Sequence, residues 1–264
     1  MSIIIPFVLI AVIGGLLGFG LAIADSKLSV KKDEKLTEME NSMPNANCGG
    51  CGFAGCSAYA EAVFNHKAEI GLCAPGGNDL AQKMSQIMGI KTEVMEKKVA
   101  HVFCSAVPSN VGKDFDYNGL EDCNAATILF KGEKKCKEGC IGFGSCMKVC
   151  PEGAIKRTPE GKIYVDVSLC IGCGKCTKAC PLQVIRMIPA SQKYTVDCNS
   201  HEKGPNLRKY CETGCIGCGI CEKKCPGSGF TVTSFLASYS EKDSTKEAAQ
   251  QALACCPRKV IKEV

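Results

Sequence analysis

The residues of this chain that could do chemistry are its 22 cysteines, spread over 264 positions, and their spacing says which chemistry. Cys170-x2-Cys173-x2-Cys176-x3-Cys180-Pro181 is the bacterial ferredoxin run. Its three closely spaced thiolates take three irons of one [4Fe–4S] cubane, and the last cysteine, before proline, reaches the neighbouring cluster. A zinc ribbon would need only two Cys-x2-Cys pairs and no Cys-Pro closure. A secreted disulfide scaffold is the other reading of so many cysteines, but tight runs of thiols suit ligands that converge on one small inorganic core.

The run has a partner in Cys136, Cys140, Cys146 and Cys150-Pro151, with Phe143 standing where the middle cysteine belongs. Cys136, one helical turn before Cys140, is the expected substitute. With the last ligands exchanged, one cluster is expected on Cys136, Cys140, Cys146 and Cys180, and its neighbour on Cys150, Cys170, Cys173 and Cys176. A third run, Cys215, Cys218, Cys221 and Cys225-Pro226, is complete. The half that would serve its companion is reduced to Cys255-Cys256-Pro257, so one cluster is expected there, on Cys215, Cys218, Cys221 and Cys256. Nearer the N-terminus, Cys48, Cys51, Cys56 and Cys73 are interleaved with Gly49, Gly50, Gly52 and Gly55. Glycines let backbone amides approach and hydrogen-bond the sulfurs of a cluster; a structural zinc site is the alternative, and the ferredoxin context favours a cluster. The expected cofactor content is about four [4Fe–4S] clusters. Cys104, Cys123, Cys198, Cys211, Cys225 and Cys255 remain, open between buried thiols, a disulfide and ligands of a further cluster. His66, His101 and His201 are isolated and receive no metal role. No phosphate-binding loop, dinucleotide-binding glycine pattern or nucleophile–base pair is visible, so the chain can pass electrons but shows no catalytic residue for organic chemistry.

These ligands must be positioned by small modules. The chain has no tryptophan and 6% aromatic residues, a composition that suits units held by metal rather than by a large apolar core. The formal charge of +5 omits the clusters, each of which adds about −2 with its thiolates. Four would bring the holoprotein to about −3, and no basic patch with interleaved aromatics suggests nucleic acid. From residue 100 onward the chain repeats: Val102-Phe103-Cys104 followed by the run at Cys136, then Val196-Asp197-Cys198 followed by the run at Cys211. The alternating segments 162–167 and 193–198 predict short strands, the first preceded by a turn at Thr158-Pro159-Glu160-Gly161. A helix is predicted from Asn78 or Asp79 through Leu80, Met84, Ile87 and Met88, stopping at Gly89. The expected fold is α+β, with boundaries at 1–24 (membrane anchor), 25–46 (charged linker), 47–95 (four-cysteine module), 100–190 (ferredoxin-like module with two clusters) and 191–264 (degenerate ferredoxin-like module with one).

Residues 3–24 carry no charge, a run long enough to span a bilayer as a helix. A signal peptide is the competing reading, but no Lys or Arg precedes the run, which is also long for a signal peptide's apolar segment. Lys27, Lys31, Lys32 and Lys35 follow it. The excess of positive charge on that side places the cysteine-rich part in the cytoplasm of a single-pass cell-membrane protein, where thiols stay reduced.

The segment Asn47-Cys48-Gly49-Gly50-Cys51-Gly52-Phe53-Ala54-Gly55-Cys56, the Asp122-Cys123 pair and the ferredoxin runs behind an apolar leader together resemble the B subunit of the Rnf complex over nearly the whole chain. The resemblance implies the electron-input component of an ion-translocating, ferredoxin-oxidising translocase. It would accept electrons from soluble ferredoxin and relay them to other membrane subunits, with NAD or a membrane carrier as final acceptor. A polyferredoxin component of a hydrogenase or another membrane oxidoreductase is the rival assignment, and a zinc-stabilised scaffold the rival from another class.

Overall fold

The computed structural model describes residues 4–28, 33–91 and 96–264, with the side chains of the first stretch described from residue 7 to residue 23. Helix α1 (Ile4–Leu28) carries the apolar run, and its side chains from Phe7 to Leu21 are exposed. Among the described residues, no helix is long and apolar enough to cross a membrane, so the spanning helix expected from the sequence is not established by the structure. Lys31 and Lys32 and the side chain of Lys27, on which the orientation rests, lie outside the described residues, as does 92–95 at the end of the expected first module.

The expected linker is not merely a linker. Helix α2 (Glu34–Asn41) begins behind Asp33, whose carboxylate accepts from the Lys35 amide. Met39 and, just past the helix, Met43 are buried against α3 (Cys56–Phe64) and α4 (Gly77–Met88). Two methionines four residues apart make a narrow apolar stripe in an otherwise charged segment. The predicted α4 is present with Leu80 and Met84 buried and Gly89 closing it at positive φ. Its cap is Gly76, two or three residues before the expected Asn78 or Asp79, and makes no side-chain cap bond.

The rest of the chain is two copies of one plan. In the first, β1 (Lys98–Val102) leads to Cys104, and helices α5 (Cys123–Ile128) and α6 (Ser145–Lys148) follow. A hairpin of β2 (Ile155–Arg157) and β3 (Ile163–Val165), turned at Thr158–Gly161, precedes α7 (Lys175–Ala179) and β4 (Ile185–Pro189). β4 returns antiparallel to β1, with Ala100 opposite Met187. In the second copy β5 (Tyr194–Val196) leads to Cys198, then α8 (Gly204–Leu207), α9 (Ile220–Lys223), a hairpin of β6 (Ser228–Thr233) and β7 (Leu236–Ser244), and α10 (Lys246–Cys255). β8 (Ile261–Glu263) then pairs with β5 as β4 does with β1. The match extends to single hydrogen bonds. Phe103 N donates to Val184 O and Asp197 N to Val260 O, each at 2.8 Å, and both acceptors sit four residues after the cysteine of a Cys-Pro.

Two-stranded ribbons with strands of three to nine residues are marginal alone. The second copy compensates with α10, whose Ala249 and Ala252 are fully buried against β6 and α9, and with Phe230 packed at a tilt against Tyr239, 4.9 Å between centroids. Apolar filling thus stabilises the copy whose second set of cysteines is reduced to Cys255 and Cys256.

Candidate metal centres

Four sets of four thiols each line a pocket. In the first, Cys48, Cys51, Cys56 and Cys73 come from a glycine-rich loop, the start of α3 and the loop before α4. Asn47 Oδ1 accepts from the Cys56 amide at 2.9 Å and ties the loop to the helix. The buried Tyr59 hydroxyl donates to Glu69 O at 2.9 Å and accepts from the amides of Gly71 and Leu72 at 3.1 and 3.2 Å, holding the strand of loop that delivers Cys73. Each such bond contributes about 1 kcal/mol net.

The second set joins Cys150 to Cys170, Cys173 and Cys176. The Ala100 amide donates to Cys170 Sγ at 3.4 Å, so strand β1 contributes a stabilising dipole. Burial, above all, pushes the Cys176 thiol up to about 12; bound iron would take the place of the proton and compensate the buried thiolate charge. The first and second sets are neighbours. A Cβ on Gly50 would stand 2.6 Å from the Cys173 carbonyl oxygen, so only glycine permits this approach, and the Cys173 thiol, raised mainly by burial, also feels Cys48.

The third set corrects the sequence expectation. Cys140, Cys146 and Cys180 line a pocket with Cys123, not with Cys136. Phe143, at the vacated position, packs against Tyr117 with ring centroids 5.3 Å apart and planes tilted by 40°. Cys123 fills the gap because α5 is clamped onto α6. Asp122 caps α5 by accepting from the amides of Asn124 and Ala125 at 2.8 and 3.1 Å. Its other oxygen accepts from Ser145 Oγ at 2.7 Å, while that Oγ accepts from the Cys123 amide at 2.8 Å. Val184 N donates to Cys180 Sγ at 3.3 Å, and buried Lys134 donates to the Cys140 carbonyl at 2.8 Å, placing a cation beside the site. Burial raises Cys176 first, and Cys146 adds to it, so the second and third sets also adjoin.

The fourth set is Cys215, Cys218, Cys221 and Cys256, the residues expected to be together. Cys225 and Cys255 are outside it: Cys225 is fully buried and lies within hydrogen-bonding reach of Cys255. Each of the four pockets offers thiols as its metal donors, and backbone amides are aimed at sulfur in each: Gly76 at Cys73, Ala100 at Cys170, Val184 at Cys180, and Gly217 and Ala237 at Cys215. That donor set suits iron–sulfur clusters. A single zinc ion needs its thiolates about 2.3 Å away, and among the described residues no group of three side chains is placed to hold one ion.

A family model for an Fe-S cluster matches residues 43–75, and models for a 4Fe-4S dicluster domain match 135–184 and 169–230. The B subunit of the proton-translocating ferredoxin:NAD(+) oxidoreductase complex of Clostridium ljungdahlii is 40% identical over 264 residues, all of this chain and 93% of the relative. The chain belongs to the family of Rnf complex B subunits. The B subunit of the ion-translocating oxidoreductase complex of Methanosarcina acetivorans is 37% identical over 255 residues, 96% of each chain. The Na(+)-translocating counterpart of Acetobacterium woodii is 38% identical over 212 residues, 80% of this chain and 64% of the relative. As an Rnf B subunit the chain is an α+β iron–sulfur protein with several [4Fe–4S] clusters. Sequence reasoning missed Cys123, although a signal was present: the stretch between Cys104 and Cys136 is longer than that between Cys198 and Cys211, and the extra length carries the substitute for the thiol that Phe143 removes.

Proposed function

We propose that this Rnf B subunit is the electron-input relay of an ion-translocating, ferredoxin-oxidising complex. It takes electrons from reduced soluble ferredoxin and passes them to other membrane subunits. The observation that carries this reading is the succession of the first three thiol sets, Cys48 beside Cys173 and Cys146 beside Cys176, which gives electrons a protein-held route from one to the next. The proposed ligands are Cys48, Cys51, Cys56 and Cys73; Cys150, Cys170, Cys173 and Cys176; Cys123, Cys140, Cys146 and Cys180; and Cys215, Cys218, Cys221 and Cys256. The clusters supply one-electron redox chemistry. The chain supplies spacing, amide dipoles, burial and the cation of Lys134, which favours the more negative reduced state of the third site.

The proposed divisions are the leader at 1–24, the segment 25–46, the four-cysteine module and two ferredoxin-like modules, with α2 now counted among the packing elements of the four-cysteine module. Helix α1 is proposed as a single-pass anchor in the cell membrane. What supports this reading is the uncharged run at residues 3–24 and the exposure of the apolar side chains from Phe7 to Leu21. The lysines after it favour a cytoplasmic cysteine-rich part.

The test uses sealed membrane vesicles carrying the whole complex. Reduced ferredoxin is expected to drive ion uptake, and a complex assembled with Cys173→Ala is expected to lose it. A chain lacking residues 1–28 is expected in the soluble fraction. Undiminished uptake with Cys173→Ala would take this chain off the electron route, and persistent membrane association of the shortened chain without its partner subunits would remove the anchor role from α1.

A further inference from the structure

Six cysteines lie outside the four sets, and besides the Cys225–Cys255 pair the fold gathers four buried ones at the joint of the two modules. Cys104 and Cys198 occupy equivalent positions just after β1 and β5, each with its own amide donating two residues back, to Val102 O at 2.9 Å and to Val196 O at 2.7 Å. Cys136 and Cys211 are equivalent too, each four residues before the first cysteine of a run. All four are buried.

Their surroundings repeat as closely as their positions. Cys104 Sγ accepts from the Cys140 amide at 3.4 Å, and the Cys198 thiol accepts from the amide of Cys215, the counterpart of Cys140. The Cys136 thiol accepts from the amides of Glu138 and Gly139. A Cβ on Gly139 would come 3.1 Å from Cys136 Sγ and 3.6 Å from Cys104 Sγ, and a Cβ on its counterpart Gly214 would come 3.3 Å from Cys211 Sγ. In both copies the backbone is kept bare where a sulfur must lie over it. Burial raises Cys136 first, and both Cys104 and Cys211 add to it; burial likewise raises Cys198, and Cys104 adds to it. Thiols of the two modules thus come near one another across the joint, where Cys136 and Cys211 share one buried apolar cluster.

The joint itself is rigid. Ser105 N donates to Asp197 O at 3.0 Å, Gly112 N to Tyr210 O at 2.7 Å and Glu212 N to Asn110 O at 3.0 Å. Glu138 accepts from Ser200 Oγ at 2.9 Å and from the His201 amide at 2.8 Å. Within the second module, Arg258 donates to the carbonyls of Gly214 and Cys211 and fixes the loop that carries Cys211. Val111, Leu207 and Ile216 pack around Cys136 and Cys211 and keep water away. Isolated buried thiols are common as small apolar residues. A duplicated set of four, approached by amide donors and closed by an apolar wall, is instead the donor arrangement of the four centres already described.

We propose that Cys104, Cys136, Cys198 and Cys211 hold a fifth [4Fe–4S] cluster across the joint of the two ferredoxin-like modules, each module giving two thiolates. Its place follows from its neighbours. Cys104 adjoins Cys140 of the third set, and Cys198 adjoins Cys215 of the fourth, so the site closes the gap between them. One electron arrives from the third site and the same electron leaves to the fourth, with no bond made or broken. This relay role rests on the proposed function; the existence of the site does not.

The test measures iron and acid-labile sulfide in the full chain purified without oxygen. The expected content is about 20 iron per chain, against about 16 if only four cubanes are present. Cys136→Ala together with Cys211→Ala is expected to lose about four iron and retain the rest, with one component missing from the electron paramagnetic resonance spectrum of the reduced protein. Cys225→Ala, outside every set, is expected to keep the full complement. About 16 iron in the unaltered chain, zinc or a disulfide at these cysteines, or a double variant with undiminished iron would each overturn the proposal. If the double variant does not fold, the iron count of the unaltered chain decides. Failure of ferredoxin to reduce a chain with full iron would instead strike at the relay reading and leave the fifth site standing.

Discussion

Cys123→Ala is expected to strip one iron from the third centre, leaving a [3Fe–4S] form visible by electron paramagnetic resonance in the oxidised protein, or to lose that cluster entirely. Cys136→Ala is expected to leave that centre intact. The contrast follows from the geometry: Cys123 shares a pocket with Cys140, Cys146 and Cys180, while Cys136 faces Cys104 and Cys211. Ser145 and Asp122 make the placement of Cys123 specific rather than incidental, because the cap and the clamp use both carboxylate oxygens. Adding Phe143→Cys to Cys123→Ala is expected to restore the fourth ligand, since it rebuilds the usual run at the position now filled by phenylalanine. A third centre untouched by Cys123→Ala but damaged by Cys136→Ala would reverse the assignment.

Adjacent cysteines give the second large contrast. Cys256→Ala is expected to remove the thiol that closes the fourth centre, with loss of one to about four iron. Cys255→Ala is expected to retain all of it. Cys256 lines the pocket with Cys215, Cys218 and Cys221, whereas Cys255 ends α10 and meets the buried thiol of Cys225. Truncating Cys255 removes a partly buried packing atom and no ligand. Iron analysis of the two variants side by side checks this, and equal losses would mean that the Cys225–Cys255 pair also binds metal.

The chemistry was legible in the sequence wherever ligands are close in the chain. Cys170, Cys173 and Cys176 announce a cubane because their spacing is set by the cluster itself, and Cys150, Cys180 and Cys256 are marked by the proline that follows. Strands at 163–165 and 194–196 and the helix ending at Gly89 were legible from alternation and capping. Cys123 was not, because it reaches its site through an insertion whose fold depends on Asp122 and Ser145, a pairing that no ferredoxin spacing encodes. Nor could the sequence say that Cys104, Cys136, Cys198 and Cys211 meet. Their repetition was visible, but their contact is made between modules, and local spacing carries no information about docking. Helix α2 was obscured for a simpler reason: Met39 and Met43 are two apolar residues in a segment dominated by charge, too short a stripe to register as a buried face.

The claim that these cysteine sets form one route for electrons from ferredoxin is tested most directly by an anaerobic titration. The full chain, with its iron verified, is mixed with reduced ferredoxin in the absence of nucleotide and flavin, and bleaching of its visible absorbance is followed. All of its clusters accessible to a strong chemical reductant of comparable potential are expected to bleach with ferredoxin as well, one electron per cluster. Clusters that the chemical reductant bleaches but excess reduced ferredoxin leaves oxidised would contradict the account.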